Sequence, residues 1–198
     1  EVSLTALSTT DYPDIDQLAS TLSRRLEPQR TSIGLPSLRP GSVSASLLES
    51  VRRVRKSGLT VAAEAGSERL RLFIRKDFPD AAIFDTVRLA FEKGWQTIKL
   101  YFMLGLPTET EEDLRGIANI IHSIHQISQE YPNKKTIKVT LSPFIPKAHT
   151  PFQWDESFGE EAIGPIAEPA SAGRERLIRQ KSYLFGLRPD RLMKCRRG

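Results

Sequence analysis

The sequence predicts an α/β fold, specifically a partial, open (β/α) barrel with parallel strands. Short apolar runs alternate with amphipathic helical segments from residue 2 to residue 141, which is the pattern of strands joined by crossover helices. Such connections are right-handed and make the strands parallel. Four of the strand ends are followed by unusual polar and glycine-containing sequence. These ends would line one mouth of a barrel, where (β/α) folds carry their functional residues.

Five segments have the pattern of strands. The segment at 97–104 contains a continuous apolar run from Leu100 to Leu104, which predicts a strand buried on both faces. Gly105 follows and allows a backbone geometry that a side chain would block, and Pro107 prevents the strand from continuing. The predicted strands are 2–7, 31–35, 59–63, 97–104 and 136–141.

Five helices are predicted between and after these strands. The first two show apolar residues spaced three or four apart, which gives each helix one apolar face. Ser44 is the predicted N-cap of the second helix. The predicted helices are 14–26, 44–56, 67–74, 81–93 and 111–130. The predicted inward-facing residues are Ile15, Leu18, Leu22 and Leu26 in the first helix, and Leu47, Leu48, Val51 and Val54 in the second.

The fifth helix begins in acidic sequence. Thr108 and Glu111 have the spacing of a capping box. Glu109, Glu112 and Asp113 add negative charge where the helix dipole favours it. We therefore interpret the acidic cluster as helix capping rather than catalytic machinery. A β-turn-α unit of this kind brings backbone to the carboxyl end of a parallel strand, where α/β folds bind ligands.

Composition narrows the class of protein. The chain has 198 residues, 39% hydrophobic and 27% charged, which suits a soluble protein with an α/β core at 1–150 and a Pro-rich, basic appendage at 151–198. No apolar run approaches the roughly 18 residues of a membrane span, so we expect no membrane partner. The near absence of cysteine makes the reducing cytoplasm the expected location. Cys195 is the single cysteine, and alone it forms no internal disulfide and no cysteine-rich metal site.

The chain is basic, with a net charge of +5. Basic clusters can contact nucleic acid or phosphate, but a solvated helix face and a basic tail are the favoured interpretation here. The first cluster contains Arg52, Arg53, Arg55 and Lys56, and the second contains Arg188, Arg191, Lys194, Arg196 and Arg197.

Five motifs occur in order along residues 1–154. They are Glu-Val-x-Leu-Thr at 1–5, Leu-Pro-Ser-Leu-Arg at 35–39, Glu-Ala-Gly-Ser-Glu-Arg-Leu at 64–70, Gly-Leu-Pro-Thr-Glu-Thr-Glu-Glu-Asp-Leu at 105–114, and His-Thr-Pro-Phe-Gln-Trp at 149–154. Together they resemble the core of a radical S-adenosylmethionine (SAM) enzyme. The resemblance is closest to the uncharacterised Fe-S oxidoreductase branch, which often carries a cobalamin-binding domain, and more distant to the methylthiotransferases.

The resemblance implies a site for S-adenosylmethionine. It places Glu64 against the ribose, where a carboxylate accepts hydrogen bonds from two vicinal hydroxyls. It places Lys76 against the carboxylate of the cofactor, with Arg39 as a second candidate, because a cation forms a charge-assisted bond there. Ser67 would add a hydroxyl contact. The other implied residues are Glu1, near the amino group of the cofactor, and Gly105, Leu106 and Ser142, around its adenine.

The cysteine motif that holds the cluster in this family, C-x3-C-x2-C, does not occur in the sequence. We therefore expect a fragment that begins at the second barrel strand and is inactive alone, with no catalytic or metal-binding residue of its own. The full-length protein would be a radical SAM iron–sulfur enzyme of the Fe-S oxidoreductase type, using S-adenosylmethionine and a [4Fe–4S] cluster. Cobalamin, in a separate domain, is a further candidate cofactor. The expected partners are the remaining domains of the same polypeptide and a substrate, for which RNA and protein are the candidates.

Two other functions remain open from the sequence alone. The first is a non-radical (β/α) enzyme with a phosphate site at its helix N-termini, although a G-x-x-x-x-G-K-[ST] loop is missing. The second is a basic RNA-binding module, although the basic clusters lack interleaved aromatic residues for base stacking. His122 and His125 lie three apart on a predicted helix, and a polar helix face is favoured over a metal site because no third ligand is near in sequence. His149 has no assigned role.

Overall fold

The computed structural model describes residues 1–6, 9–53 and 58–155. Strands and helices alternate within these ranges. The strands are β1 (Val2–Ser3), β2 (Ile33–Gly34), β3 (Leu59–Glu64), β4 (Thr97–Leu104) and β5 (Thr136–Pro143). The helices are α1 (Ile15–Leu26), α2 (Ala45–Arg52), α3 (Glu68–Phe73), α4 (Asp80–Glu92) and α5 (Glu111–Gln129). None of these helices is long and apolar enough to cross a bilayer.

The strands form two sheets. β1 and β2 make a parallel pair, and the second sheet has the order β3-β4-β5. The Thr136 N–H donates to the Gln96 carbonyl at 2.8 Å, and the Phe144 N–H donates to the Leu104 carbonyl at 2.8 Å. The number of residues between donor and acceptor is the same in both bonds, so the residue numbers rise together along the two strands. β4 and β5 therefore run parallel. The prediction of an open α/β fold with parallel strands is confirmed.

The first two strands are shorter than the sequence predicts. Each contains two residues, and part of the predicted strand 2–7 lies outside the described residues. Beyond β2, Leu38 forms an isolated parallel bridge to Val61 of β3. The Leu38 N–H donates to the Thr60 carbonyl at 2.8 Å, and the Leu38 carbonyl accepts from the Ala62 N–H at 3.0 Å. The segment after β2 is therefore paired with β3 through the single residue Leu38.

Helix α1 buries a different stripe from the predicted one. Ile15, Ala19 and Ser23 are buried, whereas Leu18 is 38% exposed, so the assignment of Leu18 to the core was wrong. The reason is that small residues let α1 approach α2 closely: the Ser23 hydroxyl donates to the Ser50 carbonyl at 2.7 Å. In α2 the predicted Leu47, Leu48 and Val51 are buried, and Val54 lies outside the described residues.

Two local predictions have clear outcomes. Ser44 caps α2 as predicted, because its Oγ accepts from the Leu47 N–H at 3.0 Å. The prediction that β4 is buried on both faces was wrong for Tyr101, which is 38% exposed. The pleat places Leu100 and Phe102 on the buried face and Tyr101 between them on the other face.

The chain divides into two compact units. The first contains Glu1–Ala63, Phe78–Leu100 and Ile124–Ile137, and the second contains Glu64–Asp77, Tyr101–Ser123 and the described residues from Lys138 onward. The second unit has its own apolar cluster, formed by Ala65, Leu70, Leu106 and Phe144. Phe152 packs on this cluster, with its ring centroid 5.9 Å from that of Phe144. Most of the predicted appendage at 151–198 lies outside the described residues.

Within the second unit, two glycines let backbone meet backbone. A Cβ on Gly66 would overlap the carbonyl oxygen of Asp113 and lie 2.5 Å from the Ile117 nitrogen, and a Cβ on Gly116 would overlap the Gly66 carbonyl. The loop after β3 therefore rests on the first turns of α5 with no side chain between them. Glycine is needed at both positions for this close approach.

We expect Gly66→Ala to lower the free energy of unfolding by about 1–3 kcal/mol, because the added methyl group forces the backbones apart. Urea unfolding measures this. Gly58→Ala is the matched control: its nearest neighbour is the flexible end of Lys99, with Cε at 3.1 Å, so it should cost clearly less. Equal losses in the two variants would contradict the close approach.

Candidate cofactor-binding site

Glu64 ends β3 in an unusual backbone conformation. Its φ angle is 66°, in the left-handed region that residues with a Cβ rarely adopt. Its carboxylate lies 3.2 Å from the Lys76 Nζ, with 18% of the Glu64 side chain and 44% of the Lys76 side chain exposed. The structure thus brings together the two residues that the resemblance assigned to the ribose and to the carboxylate of the cofactor. A left-handed residue other than glycine costs free energy and is often found at functional sites.

The end of β4 lies at the same edge of the sheet. β3 and β4 are neighbouring parallel strands that end at Glu64 and Leu104, so Gly105 follows at the edge where Glu64 lies. Gly105 has a φ of 77°, which confirms that this turn needs a glycine. Leu106 is 2% exposed and belongs to the apolar cluster, so its side chain points into the protein interior, and the adenine contact assigned to it stays a prediction.

Glu109 does not cap α5. Its Oε2 accepts a hydrogen bond from the Gly105 N–H at 2.6 Å. The pKa of Glu109 is raised to about 7, because burial raises it more than the hydrogen bond from Gly105 lowers it, and the negative charge of Asp113 adds a smaller upward effect. Sequence analysis assigned Glu109 to the acidic helix start; its position four residues after the turn glycine was the available signal for a role in the turn.

The capping box of α5 lies two residues later than predicted. Thr110 is the capping residue, because its Oγ1 accepts from the Asp113 N–H at 3.4 Å while the Thr110 N–H donates to Asp113 at 2.8 Å. The prediction of Thr108 and Glu111 was wrong. The reason is that Thr108 has a φ of 66° and belongs to the turn rather than to the helix start.

Asp113 joins the starts of α3 and α5. Its side chain is 3% exposed and accepts hydrogen bonds from the Ser67 hydroxyl, the Thr110 hydroxyl and N–H, and the Arg69 guanidinium. Burial by itself would raise the pKa of Asp113, but the bonds from Ser67, Thr110 and Arg69 lower it below its ordinary value. The acidic residues at the start of α5 indicate helix capping, but no sequence pattern indicates that Asp113 links two loops.

Ser67 already has two partners. Its Oγ accepts from the Leu70 N–H at 3.2 Å as the cap of α3, and its hydroxyl donates to Asp113. Arg71 is fully buried, and its guanidinium donates to the Ala65 carbonyl at 2.8 Å. Both side chains hold the loop after β3 in place; the cofactor contact assigned to Ser67 stays a prediction.

Three predicted site residues lie elsewhere. Ser142 is exposed near the end of β5 in the second unit. Glu1 and Arg39 are exposed and belong to the first unit. The structure therefore groups six of the eight predicted residues in one compact unit and leaves Glu1 and Arg39 in the other.

The described residues contain no group of three or more His, Cys, Asp or Glu side chains placed to hold a metal ion. His122 and His125 lie on α5, and neither belongs to such a group among the described residues. The 198 residues contain one cysteine, and a [4Fe–4S] cluster needs several thiolates. These residues do not fit an iron–sulfur cluster, whereas the partly exposed side chains of Glu64 and Lys76 offer a carboxylate and a cation that suit a nucleoside linked to an amino acid.

Similarity to known proteins supports the α/β fold with parallel strands. The model of the radical SAM superfamily matches residues 1–121, which is more than half of the chain. The chain belongs to the radical SAM superfamily. Membership favours the radical SAM interpretation over the phosphate-binding enzyme and the RNA-binding module.

Two similar proteins extend this finding. The chain is 35% identical over 156 residues to the uncharacterized protein MJ0966 of Methanocaldococcus jannaschii, covering 79% of this chain and 32% of that protein. It resembles the solved structure of the radical SAM enzyme HemN, a coproporphyrinogen III oxidase from Escherichia coli, with a TM-score of 0.55 and 15% identity over 81% of this chain and 37% of HemN. That likeness shows the fold alone. The chain spans 32% and 37% of the two proteins, so neither whole protein's activity carries over.

We expect Glu64→Gly to be more stable than Glu64→Ala by about 1 kcal/mol, because glycine adopts a φ of 66° without the clash of a Cβ. Both variants lose the same ion pair with Lys76, so the comparison isolates the backbone. Chemical denaturation measures the difference. Equal stabilities would show that the left-handed conformation at Glu64 carries no cost.

We expect Glu109 to make the folded protein lose stability as pH rises. Its pKa is about 7 in the folded protein and its ordinary value is 4.5, so between these values the folded state keeps a proton that the unfolded state has lost. The free energy of unfolding of the wild type, minus that of Glu109→Gln, should fall from pH 4.5 to pH 7 and level off above. A difference that does not vary with pH would contradict the raised pKa.

Proposed function

We propose that this chain supplies part of the S-adenosylmethionine site of a radical SAM enzyme. The observation that carries the proposal is Glu64, at the carboxyl end of β3 with a φ of 66° and 3.2 Å from Lys76. Glu64 would accept hydrogen bonds from the ribose hydroxyls, and Lys76 would pair with the carboxylate of the methionine part. Family membership supports the choice of ligand.

The backbone of the turn after β4 would complete the site. Gly105 follows β4 at the same strand edge as Glu64. It is buried and its N–H donates to Glu109, so the adenine would lie against this turn rather than on the Gly105 backbone itself. Ser142 and the end of β5 would contact the adenine from the next strand. The ion pair between Glu64 and Lys76 holds both charged groups near one another, and a ligand with a diol and a carboxylate would give each its own partner.

We further propose that the cluster cysteines lie on sequence other than these 198 residues. S-adenosylmethionine would be held here by Glu64 and Lys76 and would supply radical chemistry in the enzyme that carries the cluster. The role of this chain would be to bind and orient the nucleoside end. The proposal also includes an oxidoreductase reaction, a cytoplasmic location and inactivity of the isolated chain. It further includes cobalamin in a separate domain, and RNA or protein as the substrate.

The test is calorimetric titration of the protein in its natural full length with S-adenosylmethionine. Glu64→Gln should weaken binding by about 1–3 kcal/mol, because ribose hydroxyls lose a charged acceptor. The loss should shrink with an analogue that lacks the ribose 2′-hydroxyl. Lys76→Met should weaken S-adenosylmethionine but leave decarboxylated S-adenosylmethionine almost unaffected, because that analogue has no carboxylate to pair.

Glu112→Gln is the matched control, since Glu112 is an exposed acid in the first turn of α5. It should bind S-adenosylmethionine as tightly as the wild type. If Glu64→Gln also binds like the wild type, the site is not where we propose it. If Lys76→Met weakens both ligands equally, Lys76 does not recognise the carboxylate.

A further inference from the structure

The side chain of Asp113 joins the loops that follow β3 and β4. Asp113 is 3% exposed, and its Oδ2 accepts from the Thr110 N–H and Oγ1, each at 2.8 Å. Its two oxygens also accept from the Ser67 hydroxyl and the Arg69 guanidinium. A buried carboxylate is expensive unless its oxygens are fully hydrogen-bonded, and here both are.

These donors come from the two segments that carry the proposed site. Ser67 caps α3 and lies three residues after Glu64. Thr110 caps α5 and lies five residues after Gly105. One carboxylate thus accepts from the capping hydroxyls of both helices, so the two loops share an acceptor and cannot shift independently.

Arg69 extends the connection to the turn. Its Nη2 donates to the Thr108 carbonyl at 2.9 Å and to Asp113. Thr108 has a φ of 66°, so this guanidinium bridges α3 and a turn residue in a conformation that is unfavourable by itself. Gly66 rests against the backbone of Asp113 and Ile117, which adds a second contact between the same two segments.

We propose that Asp113 is a positioning residue, which sets Glu64 against Gly105 by fastening the loop after β3 to the loop after β4. The inference rests on the proposed function for the identity of the ligand but not for the fastening itself. Glu64 is held in the left-handed region at a cost, and it keeps that conformation only while the residues that follow it are fixed. Release of Ser67 and Arg69 from Asp113 lets Glu64 relax away from its productive orientation.

The test uses Asp113→Asn in the full-length protein. The amide removes the negative charge that pairs with Arg69 and replaces one of the two accepting oxygens with a donor. S-adenosylmethionine should bind the folded variant at least tenfold more weakly. In hydrogen–deuterium exchange without ligand, peptides at 64–70 and 104–113 should exchange at least tenfold faster, while the α1 peptide at 15–26 should not change. Asp85→Asn, an exposed aspartate of α4, should leave both measurements unaltered.

Each outcome decides the matter. Unchanged affinity with unchanged exchange overturns the proposal, and so does faster exchange of equal size in the α1 peptide, which shows general destabilisation. If the wild type does not bind S-adenosylmethionine, the proposed function fails, and exchange in the two loop peptides alone decides the positioning role. If Asp113→Asn does not fold, Arg69→Gln replaces it, because Arg69 is 52% exposed. Its loss should speed exchange at 104–113 and weaken binding severalfold. An Arg69→Gln variant with unchanged exchange and unchanged affinity would overturn the proposal. Asp113→Glu should retain more affinity than Asp113→Asn.

Discussion

The buried carboxylate of Asp113 lies where two helices begin, and the conformation of the second unit depends on it. α3 is six residues long, too short to be stable from its own hydrogen bonds. Its start is fixed because Ser67 donates to Asp113, and α5 is fixed because Thr110 exchanges hydrogen bonds with the same residue. Hydrogen bonds to a buried charge have a defined geometry, so they fix the positions of the two helix starts more strictly than apolar packing does.

Unfavourable backbone conformations are frequent in this unit. Glu64, Arg75, Thr108 and His149 have positive φ angles there and carry a Cβ, whereas Gly105 adopts its positive φ without steric cost. The free energy that these conformations cost is offset by the apolar cluster beneath them and by the contact between Gly66 and Gly116. A few side chains can hold a flexible nucleoside only when packing and hydrogen bonds fix their own positions, as the apolar cluster and the constrained loops do here.

The order of the elements and their kinds could be predicted from the sequence because they depend on local periodicity. β3, β4, β5, α3, α4 and α5 match their predicted ranges to within two residues. Glu64 and Lys76 were singled out from motifs and are adjacent in the structure. Element ends were less predictable: the capping box moved by two residues because Thr108 belongs to a left-handed turn, which no spacing of side-chain types reveals.

The sequence by itself determined that strands and helices alternate, that the strands run parallel, and that chemistry-bearing residues follow the strand ends. These properties follow from patterns within some twenty residues of chain. Only the tertiary structure decided that Glu109 turns back to Gly105 rather than capping α5, that Leu106 is buried, and that Asp113 joins two loops. The physical reason is that hydrogen bonds such as that from Ser67 to Asp113 join residues 46 positions apart. Burial and pKa likewise depend on neighbours that are distant in the chain.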